Sequence, residues 1–495
     1  MSYVSLKFLI FVICLMCIYY LFPKKYRWTI LLIGNLYFFI SLSGKLVIYG
    51  VIATLITYIF GLIIDKTKHK KSFLNIGIIL VLLFLIVLKY NNFISSLINP
   101  ILKYINLNIP YKKFIMPIGI SYYTLEMISY LTDVYRKKVC SEKNYFKLLT
   151  FFTYFPKLIE GPISKYSVYK EKMFNKITFE YEKFKNAWVL IGYGFIKKLI
   201  IADRLGIFVD NVFSNNYTGI IGILGITFYT IQIYCDFSGC INIVSGVSEL
   251  FGIELPINFN RPFFSKSIEE FWRRWHITLG EWLKEYIFYP ISLSKMNMKV
   301  NKMVRKIKFK HISKFIMIAF PLFFVWLTNG IWHGASIKYV LYGLYYYVLM
   351  MLGVLLKPVF DYIIKIFKIN TKVWSFKLFR ILRTIIIVCI GMLLFRSETI
   401  EQFIIMLKGI TNLEITKSIF ELGLIKKDFL IAAIYILIIF GVELSYELKV
   451  DVREKLNEQN LIFRWIIYLL IIFSILIFGI YGRGYAAKSF IYGGF

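Results

Sequence analysis

Long apolar stretches, each about the length of one membrane crossing, recur along the 495-residue chain. Clear cases are residues 4–23, 44–64, 72–89, 428–446 and 463–481. Because unpaired backbone groups cannot face lipid, such stretches form helices that satisfy their own hydrogen bonds. At about 20 residues per crossing, the pattern predicts an all-α polytopic membrane protein with about eleven membrane segments. The first segment is expected to be retained, since no cleavage site follows it.

Two regions interrupt this pattern. Residues 91–125 mix prolines and glycines with apolar residues, and residues 254–290 are polar although they follow an apolar stretch. Irregular backbone near a membrane is tolerated where it is buried in protein or lines a cavity. Both regions therefore indicate a pocket rather than a plain helical bundle. No linker and no internal repeat divides the chain, which favours a single membrane domain over residues 1–495.

The second of these regions contains helical periodicity. Ser267 and Glu270 have the spacing of a capping box, which places a helix start at this point. Apolar side chains then gather on one arc of the helix, and these are Ile268, Phe271, Trp272, Trp275, Leu279, Trp282, Leu283 and Tyr286. The pattern predicts one amphipathic helix at the membrane interface. On this helix Glu269 and Arg273, and likewise Glu270 and Arg274, have the i,i+4 spacing of ion pairs. His276 falls at the edge of this arc, and periodicity alone favours an interfacial histidine that satisfies a hydrogen bond.

Composition agrees with a membrane protein: 58% of the residues are hydrophobic and 18% are charged. A net charge of +32 raises the question of nucleic acid. In membrane proteins, however, basic residues concentrate in cytoplasmic loops that face anionic headgroups. The basic clusters at 23–27, 65–71 and 135–138 are each separated by two candidate spans, so they share one side. We therefore expect a multi-pass protein of the cell membrane, in contact with lipid and without a nucleic-acid partner.

The four histidines of the chain fall into two kinds. His69 and His311 occur in lysine-rich segments, whereas His333 lies deep in the apolar stretch 320–347. An ionisable side chain at membrane depth is by default a candidate for function. The alternative is a neutral imidazole that bridges two helices. In the functional interpretation, His276 and His333 are the candidates for chemistry.

The sequence lacks the motifs of several well-known classes of enzyme. The phosphate-binding loop, the nucleophile elbow and the H-E-x-x-H zinc motif are all missing. Zinc needs three or four ligands, and two histidines 57 residues apart supply only part of such a set. Cys14 and Cys17 lie within an apolar helical run, which indicates packing. We expect no metal, and acid–base chemistry by an imidazole remains.

The two histidines also occur in recognisable motifs. FWRRWH (271–276) and IWHG (331–334) resemble the two histidine motifs of the membrane-bound O-acyltransferase superfamily. The likeness extends to residues 19–39, 116–136, 151–163, 234–239 and 255–276. It is closer to the bacterial branch of the alginate O-acetyltransferase membrane subunit, and the D-alanyl transferase of teichoic acids is a more distant relative.

This resemblance implies a fold and a set of roles. The fold is a ring of helices around a central funnel or tunnel, with interfacial amphipathic helices. Catalytic motifs would lie within 116–350, and C-terminal helices with a tail would occupy 377–495. His333 matches the catalytic histidine of the family, and His276 matches its second histidine.

Four neighbouring residues are candidates for supporting roles. Asn329 and Trp332 are candidates for stabilising the oxyanion or positioning the substrate, and His276 is a further candidate for stabilising the oxyanion. Arg273 and Arg274 are candidates for the mouth through which a polyanionic donor enters.

The resemblance also implies the reaction. An acyl group, with acetyl as the leading candidate, would pass from a cytoplasmic thioester to hydroxyl groups of an extracellular polysaccharide. Acetyl-CoA is the expected donor, a carrier-protein thioester is the alternative, and no cofactor is permanently bound. An extracellular acetyl-transferring or esterase-like protein would be a partner. D-alanyl transfer to teichoic acid is the alternative reaction. A transporter would show inverted repeats, which the chain lacks.

The chain ends in KSFIYGGF (488–495), which resembles an aromatic tail found in relatives of this branch or in their small partners. In the functional interpretation, this tail lies near the outer mouth and Tyr492 receives or guides the acyl group. The alternative is an ordinary frayed terminus.

Overall fold

The computed structural model describes residues 1–112, 114–175, 177–412, 417–481 and 490–491. By its contacts the chain divides into two compact units that alternate along the sequence. The first unit comprises Met1–Phe195, Gly239–Pro256 and Ser489–Phe495, and the second comprises Ile196–Ser238 and Ile257–Lys488.

The first unit is built from helices of 8 to 20 residues. They are α1 (Leu6–Leu21), α2 (Arg27–Ser43), α3 (Val47–Lys66), α4 (Lys70–Leu85), α5 (Asn91–Leu102), α6 (Ile120–Tyr135), α7 (Tyr145–Phe152), α8 (Tyr166–Phe174) and α9 (Tyr181–Phe195). A π-helical segment, Ile86–Tyr90, continues α4. α1, α3 and α4 overlap three of the apolar stretches predicted from the sequence, residues 4–23, 44–64 and 72–89, and α1, with 16 residues, is shorter than the candidate membrane spans.

Helix α6 forms the centre of the first unit. Fourteen of its 16 residues are buried, including the carboxylate of Glu126. Lys157 Nζ lies 2.6 Å from Glu126 Oε1, and the backbone N–H of Ser164 donates to the same oxygen at 2.9 Å. A buried carboxylate requires such partners because removing a charge from water is costly. The segment 151–163, quoted above for its family likeness, therefore has a structural role in this core.

One cavity of about 420 Å³ lies within the first unit. Its lining comes from Tyr20 of α1, from the ends of α8 and α9 with residues 177–180 before α9, and from residues around Glu249. Of the two irregular regions that indicated a pocket, 91–125 contributes nothing to this cavity, and 254–290 contributes only Glu254.

The second unit contains the remaining helices and two π-helical segments, Ile196–Ala202 and Lys284–Phe288. The helices are α10 (Asp203–Ser214), α11 (Gly219–Leu250, whose residues from Gly239 on belong to the first unit), α12 (Ile268–Arg274), α13 (Ile277–Leu283), α14 (Tyr289–Ser292), α15 (Lys295–Val304), α16 (Lys310–His333), α17 (Ile337–Leu355), α18 (Lys357–Ile366), α19 (Trp374–Arg396), α20 (Ile400–Gly409), α21 (Lys426–Glu447), α22 (Val452–Asn457) and α23 (Leu461–Phe478). The predicted stretches 428–446 and 463–481 correspond to α21 and α23.

Eight helical runs of the described chain are long and apolar enough to cross a membrane. They are Lys24–Lys66, Lys70–Ile105, Gly219–Leu250, Lys310–His333, Ile337–Leu355, Trp374–Arg396, Lys426–Glu447 and Leu461–Phe478. The first of these runs contains both α2 and α3, which meet at a turn where Gly44 has φ +53°. Because one such run can contain two helices, the eight runs do not give the number of membrane passes directly, and the predicted number of about eleven stays a prediction. The predicted all-α membrane class is confirmed, and the ring around a funnel stays a prediction.

Buried ion pairs hold the π-helical start of the second unit. Lys198 Nζ lies 2.6 Å from Asp236 Oδ1 of α11 and 2.9 Å from Asp203 Oδ1. The neighbouring Lys197 Nζ lies 3.3 Å from Glu443 Oε1 of α21. Each buried ammonium group thus has a carboxylate partner, as burial of a charge requires.

Helices α16 and α17 approach each other closely. A Cβ atom on Gly330 would lie 2.3 Å from the carbonyl oxygen of Tyr339, and one on Gly343 would lie 2.2 Å from that of Trp326. Only glycine permits this approach, since the obstructing atoms belong to the backbone. Because α16 ends at His333, the same packing fixes the position of that imidazole.

We expect Gly330→Ala to lower the free energy of unfolding by about 1–3 kcal/mol, because the added methyl group forces α16 and α17 apart. Gly353→Ala, on the far part of α17, is the matched control. No atom lies within 4 Å of its new Cβ, so alanine should be neutral or stabilising by about 0.5–1 kcal/mol. Thermal unfolding in detergent measures both. Equal midpoints for the two variants would contradict the close packing.

Candidate active site

The stretch around His276 forms two short helices instead of the one predicted from its periodicity. α12 ends at Arg274 and α13 begins at Ile277, with His276 between them at φ +47°, in the left-handed region. A residue other than glycine adopts this conformation at a cost on the order of 1 kcal/mol. The prediction of one continuous helix was wrong, because helical spacing does not reveal a break that tertiary contacts impose.

A short backbone pairing stabilises this break. Phe259 and Trp275 form an isolated antiparallel bridge. On either side of it, the N–H groups of Asn260 and Ile277 donate to carbonyl oxygens of the opposite segment at 2.8 and 2.9 Å. The extended segment around Phe259 thus satisfies backbone groups that a continuous helix would have satisfied internally.

The apolar face of α12 and α13 is nevertheless largely buried, as the periodicity requires. Six of the eight side chains on the predicted arc are buried, namely Phe271, Trp275, Leu279, Trp282, Leu283 and Tyr286. Their contacts include the rings of Tyr234 and Phe259, which pack against Trp275. The arc therefore packs into the second unit, and the opposite face carries exposed charges.

His276 lies inside the protein, not at the edge of an exposed face. Its side chain is buried, with Phe237 and Trp332 at ring distances of 4.8 and 5.7 Å. His276 Nδ1 lies 3.1 Å from Asn258 Oδ1. Burial lowers the pKa of the His276 imidazole to about 3, since desolvation disfavours the charged form. The ring is therefore neutral at physiological pH.

His333 occupies the last position of α16 and is equally buried. Its imidazole contacts the rings of Tyr342 and Phe395 at 5.7 and 5.3 Å. Trp332 contacts both histidines, at 5.1 Å from His333 and 5.7 Å from His276. The two imidazoles, 57 residues apart in sequence, thus contact the same indole ring.

Asn329 is also buried in this region. It precedes His333 by four residues on α16, so both side chains lie on the same face of the helix. The structure therefore brings together four of the predicted site residues, namely His276, His333, Asn329 and Trp332.

The two arginines have different surroundings. Arg273 forms the predicted i,i+4 pair with Glu269 at 3.0 Å, and its side chain is 66% exposed. Arg274 forms the other predicted pair, with Glu270 at 2.8 Å, and also contacts Glu447 of α21 at 2.8 Å. Its side chain is only 18% exposed. Arg274 is therefore part of an ion-pair network within the second unit, and the exposed positive charge belongs to Arg273.

Tyr492, the candidate acyl relay, lies outside the described residues. Phe490, two residues before it, is buried in the first unit with its ring 6.2 Å from that of Tyr3. Tyr3 is held in turn by its hydroxyl group, which donates to the carbonyl oxygen of Phe155 at 2.8 Å. Phe490 itself is therefore packed into the first unit.

Sequence reasoning missed Asn258 and Thr278. Thr278 donates to Asn258 Oδ1 through its N–H at 3.1 Å and through its hydroxyl group at 2.9 Å. Asn258 belongs to the polar segment LPINFN (255–260), quoted for its family likeness, but nothing in its spacing points to His276. Within the described ranges, no group of three or more His, Cys, Asp or Glu side chains is arranged to hold a metal ion.

Residues 78–397, which include both histidines, match the model of the membrane-bound O-acyltransferase family. The chain belongs to this family. It is therefore a multi-pass membrane protein and an O-acyltransferase, as the two histidine motifs predicted.

Three relatives illustrate the range of the family. A protein named probable alginate O-acetylase from Pseudomonas syringae is 33% identical over 391 residues, which cover 78% of this chain and 70% of that protein. A peptidoglycan O-acetyltransferase from Helicobacter pylori is 28% identical over 79% of this chain and 74% of its own length. A teichoic acid D-alanyltransferase from Bacillus subtilis is 30% identical, over 47% of this chain and 58% of its own length.

We expect Arg274→Glu to destabilise the protein by on the order of 2 kcal/mol, because it removes charged hydrogen bonds and places a third carboxylate beside Glu270 and Glu447. Arg273→Glu is the matched control: its exposed pair contributes little, so its unfolding midpoint should stay near that of the wild type. Thermal unfolding in detergent distinguishes the two. An equal loss of stability in both variants would contradict the ion-pair network.

Proposed function

We propose that this membrane O-acyltransferase transfers an acetyl group from a thioester donor on the cytoplasmic side to hydroxyl groups of an extracellular polysaccharide. The observation that carries the proposal is the pair of buried imidazoles around Trp332. Support for acetyl comes from the coverage of the relatives: the two O-acetyl-transferring proteins match 78% and 79% of this chain, and the D-alanyltransferase matches 47%.

The proposed chemistry is acid–base catalysis by His333. Its imidazole accepts the proton of the acceptor hydroxyl as that oxygen attacks the thioester carbonyl. The tetrahedral intermediate then expels the thiolate, which takes the proton back from the imidazolium and leaves as a thiol. The ester bond forms, the thioester bond breaks, and no proton is gained or lost overall. The burial of His333 between the rings of Tyr342 and Phe395 supports this role, because it places the imidazole in a fixed position inside the protein.

The oxyanion of the intermediate requires hydrogen-bond donors. The side-chain amide of Asn329 and the indole N–H of Trp332 are the donors proposed here. Support comes from the burial of both side chains and from their position on the same helix end as His333. His276, which contacts the same indole ring, completes the proposed catalytic group.

We assign the donor mouth to the surface that carries Arg273. A coenzyme or carrier thioester bears phosphate groups, and an exposed guanidinium attracts them. The exposure of Arg273 supports this role. Arg274 contributes indirectly in this proposal, by holding α12 in place.

The tail completes the proposed route. In this route the phenol of Tyr492 is the acceptor hydroxyl: it gives its proton to His333 as its oxygen attacks the thioester, and the thiolate leaves as a thiol with that proton. A polysaccharide hydroxyl bound to an extracellular transferase then attacks the tyrosyl ester, forms the polysaccharide ester and returns its proton to the phenol oxygen. The burial of Phe490 against Tyr3, two residues before Tyr492 in the sequence, supports a role for this part of the chain.

We expect His333→Ala to abolish acyl transfer, and His276→Ala to lower it by about 10²-fold or more, while both variants remain folded and inserted. Transfer is measured in proteoliposomes from a radiolabelled acetyl thioester, with a D-alanyl carrier thioester in a parallel reaction. His311→Ala is the control, since this histidine lies exposed at the other end of α16.

Substantial transfer by folded His333→Ala would contradict the mechanism. Transfer by the wild type from the D-alanyl carrier alone would replace the acetyl assignment with the teichoic acid reaction.

Tyr492→Phe should block acylation of the polysaccharide in cells while leaving expression unchanged, because only one hydroxyl group is removed. Tyr104→Phe, at a 90% exposed position, is the control. Acylation is measured on the isolated polysaccharide. Normal acylation by Tyr492→Phe would exclude the covalent relay.

A further inference from the structure

The side-chain oxygen of Asn258 receives three contacts at the site. It lies 3.1 Å from His276 Nδ1, 3.1 Å from Thr278 N and 2.9 Å from Thr278 Oγ1. Asn258 itself is only 1% exposed. Its Nδ2 has no hydrogen-bond acceptor within the described part of the chain. Within the described residues, the hydrogen-bond contacts of this amide are therefore all made by its oxygen.

The orientation of the amide follows from Thr278. A backbone N–H can only donate, so the Asn258 atom that faces it must be the acceptor oxygen and not the nitrogen. That oxygen has no hydrogen to give, so the His276 nitrogen beside it must supply the proton of their hydrogen bond. In a neutral imidazole with the proton on Nδ1, the lone pair is on Nε2.

We propose that Asn258 is a positioning residue that holds His276 as the Nδ1–H tautomer and so presents Nε2 as a hydrogen-bond or proton acceptor. This inference rests on the proposed function and deepens it. A hydrogen bond to one ring nitrogen selects the tautomer and fixes the plane of the ring.

The role of His276 in the reaction follows from this tautomer. Nε2 accepts a hydrogen bond and does not donate one, so His276 orients or deprotonates a hydroxyl group instead of stabilising the oxyanion. The donors for the oxyanion are then Asn329 and Trp332, at the end of α16.

Protonation would reverse this role, because an imidazolium donates from both nitrogens. The titratable and charged groups next to His276 in the chain, or next to its ring neighbours Phe237 and Trp332, include Asp236 of α11, His333 of α16 and Arg274 of α12. Asp236 is paired with Lys198, and Arg274 with Glu270 and Glu447. Burial keeps the pKa of His276 low, so the wild type retains the acceptor at neutral and mildly acidic pH.

The tautomer can be observed directly. In the full-length protein labelled with ¹⁵N-histidine in lipid, the nitrogen chemical shifts distinguish Nδ1–H from Nε2–H, and only four histidines contribute. His276→Ala assigns the signal. We expect the Nδ1–H form in the wild type and in Thr278→Val, which keeps the backbone donor. Asn258→Leu should populate the Nε2–H form. An Nε2–H signal for wild-type His276 would overturn the proposal.

Enzyme activity gives a second test. Its decisive variant is Asn258→Asp, so the test stands even if Asn258→Leu does not fold. Asn258→Asp keeps the acceptor oxygen but adds a negative charge, which raises the pKa of His276. If neutral His276 is required, the acidic limb of the kcat profile must move to higher pH, with turnover recovered at alkaline pH. Asn258→Leu should lose about 10²-fold in turnover at every pH. An unshifted acidic limb in Asn258→Asp would contradict the acceptor role.

The two proposals fail in different ways. If the wild type transferred an acyl group from neither thioester, the proposed function would be contradicted, and the tautomer signals would be unaffected. If transfer required His276 but not Asn258, the tautomer inference would be contradicted and the proposed function would stand.

Discussion

The structure depends on one constraint: an ionisable group that leaves water must be neutral or must find a partner. In the first unit, Glu126 and Lys157 meet this constraint as an ion pair 2.6 Å apart. In the second unit, Lys198 meets it between two carboxylates. His276 meets it differently, by remaining neutral. The buried lysines and carboxylates are thus neutralised by structural partners, and a neutral imidazole remains available for chemistry.

The position of His276 results from a break in regular structure. Pairing of Phe259 with Trp275 ends α12 and places His276 in a left-handed conformation before α13 begins. The same extended segment supplies Asn258. One short stretch of chain therefore both breaks the helix and orients the ring. On the other side, the close packing of α16 with α17 at Gly330 fixes the helix end that carries His333. Backbone strain at one imidazole and close helix packing at the other hold the two rings around Trp332.

The sequence predicted much of this arrangement. Apolar stretches identified the membrane helices, since their length and composition are local properties. Periodicity correctly identified most buried side chains of α12 and α13, and the i,i+4 rule identified the partners of Arg273 and Arg274. The break at His276 was not predictable, because it depends on a backbone bridge to Phe259, whose pairing leaves no periodic signal. Glu447, 173 residues from Arg274, and Asn258 were missed for the same reason: tertiary contacts decide both.

A double-mutant cycle on His276 and His333 tests most directly whether the two imidazoles form one catalytic centre. Single-turnover acyl transfer is compared in the wild type, His276→Asn, His333→Asn and the double variant, each normalised to folded protein. Residues that act as a unit are strongly non-additive, so the double variant should lose no more activity than His333→Asn alone. Losses that multiply, with the double variant slower than His333→Asn by the full factor of His276→Asn, would show two independent sites and contradict a shared centre around Trp332.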